Sequence, residues 1–518
     1  MSNGTETSSA GAGGSAALAG AGAALLATGL VHAAASRVPF PPIAVAEAIV
    51  RGTPGGLATL SIERLGHLAQ PILVIATTAA FLGLSWALGR LLPRSRMTGG
   101  VPVAAFILGF PLALIALAAM DPSSVTVERW QYALVLLGAL TLSATVTAWR
   151  YRALADPSAE VPAEQLPKDA PTGSRRELLR ALALGGAGLA VGWSGLGRLL
   201  RGRLDPGGSA LRVRVSSPAV VPPSHPGFDA IPGLAPSITP NNDFYVIDTA
   251  LSDPVVNAED WSLSIGGLVE GRFEIAYDEL LDLPAVEFVS TLECISNEVG
   301  GDLISTAKWT GVPVRTLLER AGVRDGVVEV VATSVDGYSD SIPLDDAMRE
   351  RTIVVLGMNG MTLSREHGFP ARLLVPGLYG MKQPKWLRSI ELVDRPFEGY
   401  WVERGWSKAA IVKTMSRVDA RASDGPRTVV AGVAFAGDRG ISAVEVSLDA
   451  GTTWSEAELE PPPSPLTWRR WRFDLDAEDA ADGRLTVRGI DGEGRVQEQA
   501  VAPPHPDGAS GYHAVSLG

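Results

Sequence analysis

The chain has 518 residues with 44 basic and 56 acidic side chains, a net charge of −12 and a single cysteine. No basic stripe capable of neutralising phosphates is present, which excludes a nucleic-acid role, and one thiol excludes an internal disulfide or a Cys-x-x-Cys metal site. A mean hydropathy of +0.18 with 19% charged residues is too apolar for a wholly soluble protein.

The apolar excess lies at the N-terminus. No charged residue falls between Glu6 and Arg37, Arg64 and Arg90, Arg96 and Asp121, or Arg129 and Arg150, and each gap is at least ~20 residues, enough to cross a bilayer as a helix. The spacing predicts transmembrane helices near 13–35, 70–91, 100–120 and 130–149. A fifth, Gly/Ala-rich run at 181–197 follows "SRRELLR" (174–180), whose Arg175 and Arg176 resemble a twin-arginine export signal, or else act as cytoplasmic anchors. Both readings place the 92–99 and 150–177 loops inside, where Arg90, Arg94, Arg96, Arg150, Arg152 and Lys168 satisfy the positive-inside rule. Arg198, Arg201 and Arg203 run against it, unless a folded domain is exported. The expected location is a multi-pass protein of the cytoplasmic membrane, in contact with lipid, with everything after about residue 204 on the extracytoplasmic side.

Residues 201–240 read as a linker, eight prolines falling between 205 and 240. From 241 to 400 strand runs such as "WSLSIGGL" and "GVVEVVATSV" alternate with helical signals, among them "VPVRTLLERAGV" with Val314, Leu317, Leu318 and Ala321 on one face. This predicts an α+β domain. From 401 to 518 short alternating strands separated by Asp-Gly and Ala-Gly turns predict an Ig-like β-sandwich, by itself a binding or dimerisation module.

The lone thiol stands in "TLECISNEVGG", and three readings are open for it: an inert side chain, a nucleophile, or a single metal ligand whose companions come from a cofactor. Polar residues at strand ends and rigid turns suit a large phosphate-bearing cofactor: Asn241, Asn242, Asn297, Thr333, Tyr338, His367, Arg372, Lys382 and Lys385. These segments, in this order, closely resemble the sulfite oxidase family of molybdopterin enzymes, over roughly residues 236–518. The resemblance implies molybdenum-cofactor-dependent oxidoreduction, a two-electron oxygen-atom transfer with a small-molecule oxo donor or acceptor. It implies that Cys294 ligates the metal and that Tyr338 assists near the metal's oxygen ligands. Asn242, Tyr245, Val246, Thr333, His367, Arg372, Gln383, Pro384 and Lys385 would surround the pterin, with Arg372 and Lys385 on its phosphate. The C-terminal sandwich resembles the family's dimerisation domain, which implies a homodimer. Trp401 and Trp406 would pack the domain junction or line the substrate entrance, the junction being favoured.

Two positions depart from the family. Arginines that hold sulfite are replaced by Ile247 and Val299, beside Glu298. An apolar and acidic rim repels a dianion, so a neutral substrate such as a sulfoxide, including oxidised methionine, fits better than sulfite. Electrons require a separate partner, a cytochrome or a quinone-linked protein, since no Cys-x-x-Cys-His haem attachment site exists. His32 and His67 could ligate a b-type haem or contact a quinone, but two histidines without a spacing motif favour interfacial hydrogen bonding. Two other classes compete: a cofactor-free extracytoplasmic scaffold, and a transporter or electron-transfer subunit, the latter disfavoured by spans without charge.

Overall fold

The computed structural model describes residues 3–34, 40–53, 69–91, 129–155, 208–219, 225–250, 253–424, 427–476 and 484–517. It divides into two compact units, Met1–Asp205 with Ala250–Val255, and Pro206–Thr249 with Val256–Gly518.

The first unit contains the helices Asn3–Ala34, Pro41–Gly52, Ala69–Leu91 and Arg129–Ala155. Three of them cover expected spans, whereas Pro41–Gly52 was not foreseen, because Glu47 and Arg51 break its apolar run. The expected spans at 100–120 and 181–197 and the arginine pair at 175–176 lie outside the described residues. The five-helix bundle is corrected accordingly: among the described residues one segment, Tyr132–Arg150, is long and apolar enough to cross a membrane. Uncharged length alone overcounted, since Ala16–Val31 and Ile72–Ala87 are shorter apolar stretches. Small residues set one helix contact. A Cβ on Gly20 would fall 2.4 Å from the Ser143 carbonyl oxygen, so glycine lets the first and last of these helices touch backbone to backbone.

The second unit begins with the segment expected to be a linker, and it is partly built into the fold. Val215–Ser217 pairs in parallel with Ala285–Glu293, and Pro226–Asp229 forms a short helix whose Asp229 meets Arg470 at 2.8 Å. Two mixed sheets follow. One orders Val215–Ser217, Ala285–Glu293, Ile304–Pro313, Ile353–Met358 and Arg372–Leu374; the other orders Phe273–Ala276, Ser262–Gly267, Leu387–Val393, Glu329–Ser334 and Ser339–Pro343. Their facing side chains form one core with Trp309, Leu263 and Ile265 fully buried. The helix Val314–Ala321 buries Val314, Leu317, Leu318 and Ala321, the face that the 3.6-residue period predicts.

Two four-stranded sheets make the C-terminal sandwich. Met415–Asp424, Arg427–Phe435, Arg469–Asp476 and Glu458–Leu459 form one, and Ile441–Ser447, Arg484–Asp491, His513–Ser516 and Ser455–Glu456 form the other. Val430, Trp471 and Leu475 of the first pack on Val444, Leu485 and Val487 of the second. A third cluster joins the sandwich to the two-sheet domain: Ile295, Ile304, Tyr379 and Met381 pack with Trp406, Val433, Phe435 and Trp468, and Trp401 lies against them. The two tryptophans thus pack a domain junction.

Candidate functional site

Cys294 stands directly after the strand Ala285–Glu293, whose residues 288–293 are all buried. Its N–H donates to the Leu303 carbonyl at 2.9 Å and its carbonyl accepts from Asn297 N–H at 3.0 Å, which closes a tight turn. Asn297 then staples that turn: its Nδ2 donates to Glu293 Oε1 at 2.9 Å and its Oδ1 accepts from Leu303 N–H at 3.0 Å. The sandwich grips the far side of the loop, Arg417 Nη1 donating to the Gly301 carbonyl at 2.5 Å. At Gly300 (φ +78°) an added Cβ would meet His513 Nε2 at 2.5 Å, so only glycine fits. The cysteine is therefore held by backbone bonds, with its side chain half-buried and 3.0 Å from Ser296 Oγ. Burial pushes the thiol pKa up, partly offset by the Ser296 bonds. Burial also raises the Glu293 carboxyl to about 7 against the lowering bond from Asn297, and its Oε2 has no partner among the described residues.

Electrostatic coupling shows which side chains share the thiol's surroundings. Tyr245 is held well above its ordinary pKa first by burial, then by the Cys294 charge, while Arg372 opposes the shift. Tyr338 is raised the same way, by burial, then by Asp340, Asp336 and Cys294. Tyr245 and Tyr338, far apart in sequence, thus both lie in electrostatic reach of Cys294, and Arg372 lies in reach of Tyr245. Tyr338 Oη donates to the Met381 carbonyl at 2.6 Å, so its proton is committed and its lone pairs remain available to accept.

Arg372 is 5% exposed and sits 5.6 Å from the Trp309 ring. Its Nη1 and Nη2 reach the His367 and Gln383 carbonyls at 3.3 and 3.5 Å, both long, and Nε has no partner among the described residues. Burial lowers its pKa to about 10, so it remains a cation at neutral pH. His367 is 2% exposed, with Nε2 2.9 Å from the Asn241 carbonyl. Bonding to a carbonyl requires the Nε2–H tautomer, and burial drops its pKa to about 4, leaving the ring neutral.

The remaining expected residues divide. Thr333 is half-buried on Glu329–Ser334 and pairs with Ser339 and Ser389. Asn242 and Val246 are exposed, as are Ile247 and Val299. Gln383 spends its amide internally, accepting from Val375 N–H at 3.2 Å and donating to the Leu378 carbonyl at 2.7 Å. The Pro384 carbonyl accepts from Leu373 N–H at 2.9 Å. Lys385, expected on a phosphate, pairs with Asp248 and donates to the Glu366 carbonyl at 2.6 Å. Three residues of this neighbourhood were not singled out from sequence: Ser296, Asp340 and Tyr400, whose ring lies 5.8 Å from that of Tyr338. Nothing local distinguishes them, since their relevance comes from partners 2 to 62 positions away. His67 lies outside the described residues, and for His32 only the backbone, within Asn3–Ala34, is described.

Donor chemistry here fits a sulfur-liganded, anionic cofactor. A half-buried cysteine and a buried guanidinium whose Nε has no partner among the described residues leave donor capacity that internal bonding does not use. Lys385 fits less directly, because an anion would have to displace Asp248.

Comparison with known proteins agrees. Residues 250–401 match the "Oxidoreductase molybdopterin binding domain" and residues 406–502 the "Mo-co oxidoreductase dimerisation domain". These define the class: a molybdopterin-binding oxidoreductase domain followed by a dimerisation module, the cofactor being the molybdenum cofactor. More narrowly, the two domains are similar to those of sulfite oxidases. The chain is 29% identical over 320 residues to the mitochondrial sulfite oxidase of Rattus norvegicus, covering 51% of this chain and 58% of that protein. It is 27% identical over 306 residues to a nitrate reductase [NADH] of Solanum lycopersicum, covering 46% of this chain and 34% of that one. The crystal structure of the sulfane dehydrogenase SoxCD from Paracoccus pantotrophus matches with 24% identity and a TM-score of 0.49, over 54% of this chain and 81% of that chain. The chain thus spans 58% of the rat relative's length.

Proposed function

We propose that this protein is a molybdenum-cofactor-dependent oxidoreductase that performs two-electron oxygen-atom transfer, with Cys294 as the protein's ligand to the metal. One observation carries this reading: Cys294 is fixed by its own backbone on a buried strand end, with Tyr245 and Tyr338 in electrostatic reach of it and Arg372, whose Nε has no partner among the described residues, in reach of Tyr245. When bound, the cofactor would supply the two-electron couple and the remaining sulfur ligands. The protein's residues do the rest. Arg372 places a permanent cation where a phosphate or pterin oxygen can accept from Nε. His367 stays neutral and fixes the Asn241–Tyr245 segment through its Nε2–H. Tyr338, its own proton given to Met381, accepts a hydrogen bond from a water or hydroxyl group at the reacting site.

Metal analysis tests this directly. Wild-type chain from molybdate-fed cells should carry close to one molybdenum per chain and Cys294→Ser far less; equal and near-zero loading in both would refute it.

Exposed Val246, Ile247 and Val299 favour a second, narrower reading, in which the substrate is neutral, such as a sulfoxide. Apolar side chains at 247 and 299 give a dianion no charge of their own to offset its desolvation. Ile247→Arg with Val299→Arg should lower the KM for sulfite at least about tenfold, the gain of one or two charge-assisted bonds. Unaltered sulfite kinetics, or efficient sulfite turnover by the unmodified chain, would overturn it.

The segment Tyr132–Arg150 supports placing the protein in a membrane, with the catalytic domain extracytoplasmic and electrons exchanged with a separate cytochrome or quinone-linked carrier. Retention in the pellet after alkaline carbonate washing is the expected result. Residues 406–502, the dimerisation-type domain, support a homodimer, to be read by sedimentation.

A further inference from the structure

Behind Tyr338 lies an ion pair that the reaction outlined above does not use. Lys382 Nζ donates to Asp340 Oδ1 at 2.7 Å and to the Ser341 carbonyl at 3.1 Å, with side chains 2% and 0% exposed. Asp340 Oδ1 also accepts from Ser341 N–H at 2.7 Å, while Oδ2 has no partner among the described residues. Backbone seals the pair from solvent: a Cβ on Gly399 would fall 2.6 Å from Asp340 Cγ, and Tyr400 N–H donates to the Ser339 carbonyl at 3.0 Å.

Stability alone explains this pair poorly. Withdrawing two charges from water costs about as much as their attraction returns, and an apolar pair of equal volume commonly serves as well. Its location is more informative. Asp340 lies two residues after Tyr338 at the start of Ser339–Pro343, and Lys382 follows Met381, whose carbonyl receives the Tyr338 hydroxyl at 2.6 Å. The ion pair therefore ties together the two segments whose ends make the Tyr338–Met381 bond.

We infer that Lys382 and Asp340 are positioning residues for Tyr338: their buried pair fixes the Gly380–Lys382 turn against Ser339–Pro343, so that the Tyr338 hydroxyl donates to Met381 and offers only its lone pairs to the reacting site. The role of Tyr338 at that site rests on the proposed function; the geometry of the clamp does not. Removing one charge would leave the other buried and unpaired, the turn would shift to reach water, and the phenol would be released to rotate or donate elsewhere.

A double-mutant cycle tests the clamp on the full chain. Lys382→Met, Tyr338→Phe and their combination are compared for molybdenum per chain and for turnover of sulfite and of dimethyl sulfoxide. The unloaded proteins are labelled with 13Cζ-tyrosine, the Tyr338 resonance being the one lost in Tyr338→Phe. Expected is a displaced or broadened Tyr338 resonance in Lys382→Met. On whichever probe turns over, kcat should fall about tenfold to a hundredfold, as for loss of reactive geometry. Molybdenum content should stay within about twofold, and the combined variant should be no slower than Tyr338→Phe beyond that margin. Lys382→Arg should recover most of the rate. Multiplicative losses in the combination, or an unmoved Tyr338 resonance, would overturn the assignment.

Should Lys382→Met fail to fold, the pair exchanged together, Lys382→Met with Asp340→Leu, removes both charges. A wild-type Tyr338 resonance in that protein refutes the clamp, and a displaced one supports it. Because the resonance is read without cofactor, it is separable from the metal reading: Cys294→Ser retaining full molybdenum would sink that reading and leave the clamp standing.

Discussion

His367 offers the sharpest test of the electrostatics around the site. The ring is 2% exposed and its Nε2–H is given to the Asn241 carbonyl at 2.9 Å. Protonating Nδ1 would place a cation there beside Arg372 and Lys385, with Glu366 4.0 Å from Nε2 as the facing carboxylate. Burial is the larger cause, and together these drop the pKa from 6.5 to about 4. In the unfolded chain the imidazole takes up its proton near pH 6.5, so between 6.5 and 4 the unfolded state binds more protons than the folded one. Stability from this group is thus complete above about pH 6.5 and lost as pH falls through 4. At about 1.4 kcal/mol for each pH unit, the loss is about 3 kcal/mol, to order of magnitude. His367→Gln keeps a donor for Asn241 and removes the titration. Urea unfolding between pH 4 and 7.5 should show a wild-type midpoint that falls more steeply with acid than the variant's. The His367 C2–H resonance, identified among six histidines by its absence in the variant, should titrate well below pH 5.5. Titration near 6.5, or parallel pH profiles for the two proteins, would refute the account.

Three further outcomes follow from packing and charge. Trp309→Ala empties a 0%-exposed position and removes the Nε1–H donated to Ser290 at 3.0 Å; urea unfolding should show a loss of about 3–5 kcal/mol. Gly267→Ala forces a Cβ at φ +80° to within 2.1 Å of the Leu392 carbonyl oxygen and should cost about 2 kcal/mol or more, whereas Gly271→Ala, with nothing within 4 Å, should stay within about 0.5 kcal/mol. Arg372→Met should lower molybdenum retention at least about tenfold through loss of charge-assisted bonds. The unloaded fold should remain as stable or become more so, because an incompletely bonded cation has been withdrawn from the interior. Equal molybdenum content in wild type and variant would contradict this.

Some of this was legible in the chain and some was not. Val314, Leu317, Leu318 and Ala321 were readable as a buried face because helical periodicity is local. The alternation after residue 415 exposed the sandwich for the same reason. Cys294, Asn297, His367 and Arg372 could be singled out as candidates through ordered motifs. Spans counted from uncharged gaps failed differently: lack of charge limits where a helix can go but does not fix its ends, so Pro41–Gly52 and the short apolar stretches were misjudged. Residues 215–217 and 226–229 read as linker because their prolines mask pairing that depends on partners about 70 and 240 positions away.

The sequence alone determined the chemistry available: one soft thiolate donor, cations and amides at strand ends, and apolar residues at 247 and 299 where anion-binding side chains would be expected. Tertiary structure decided which of these work together. Lys382 and Lys385 look alike in "GMKQPKWL", yet one is sealed against Asp340 behind Tyr338 and the other pairs with Asp248. Asp340 resembles any surface aspartate until Gly399 closes over it. The physical reason is that the cost of a charge depends on what surrounds it in space. Those surroundings are brought together from distant segments by the burial of the core.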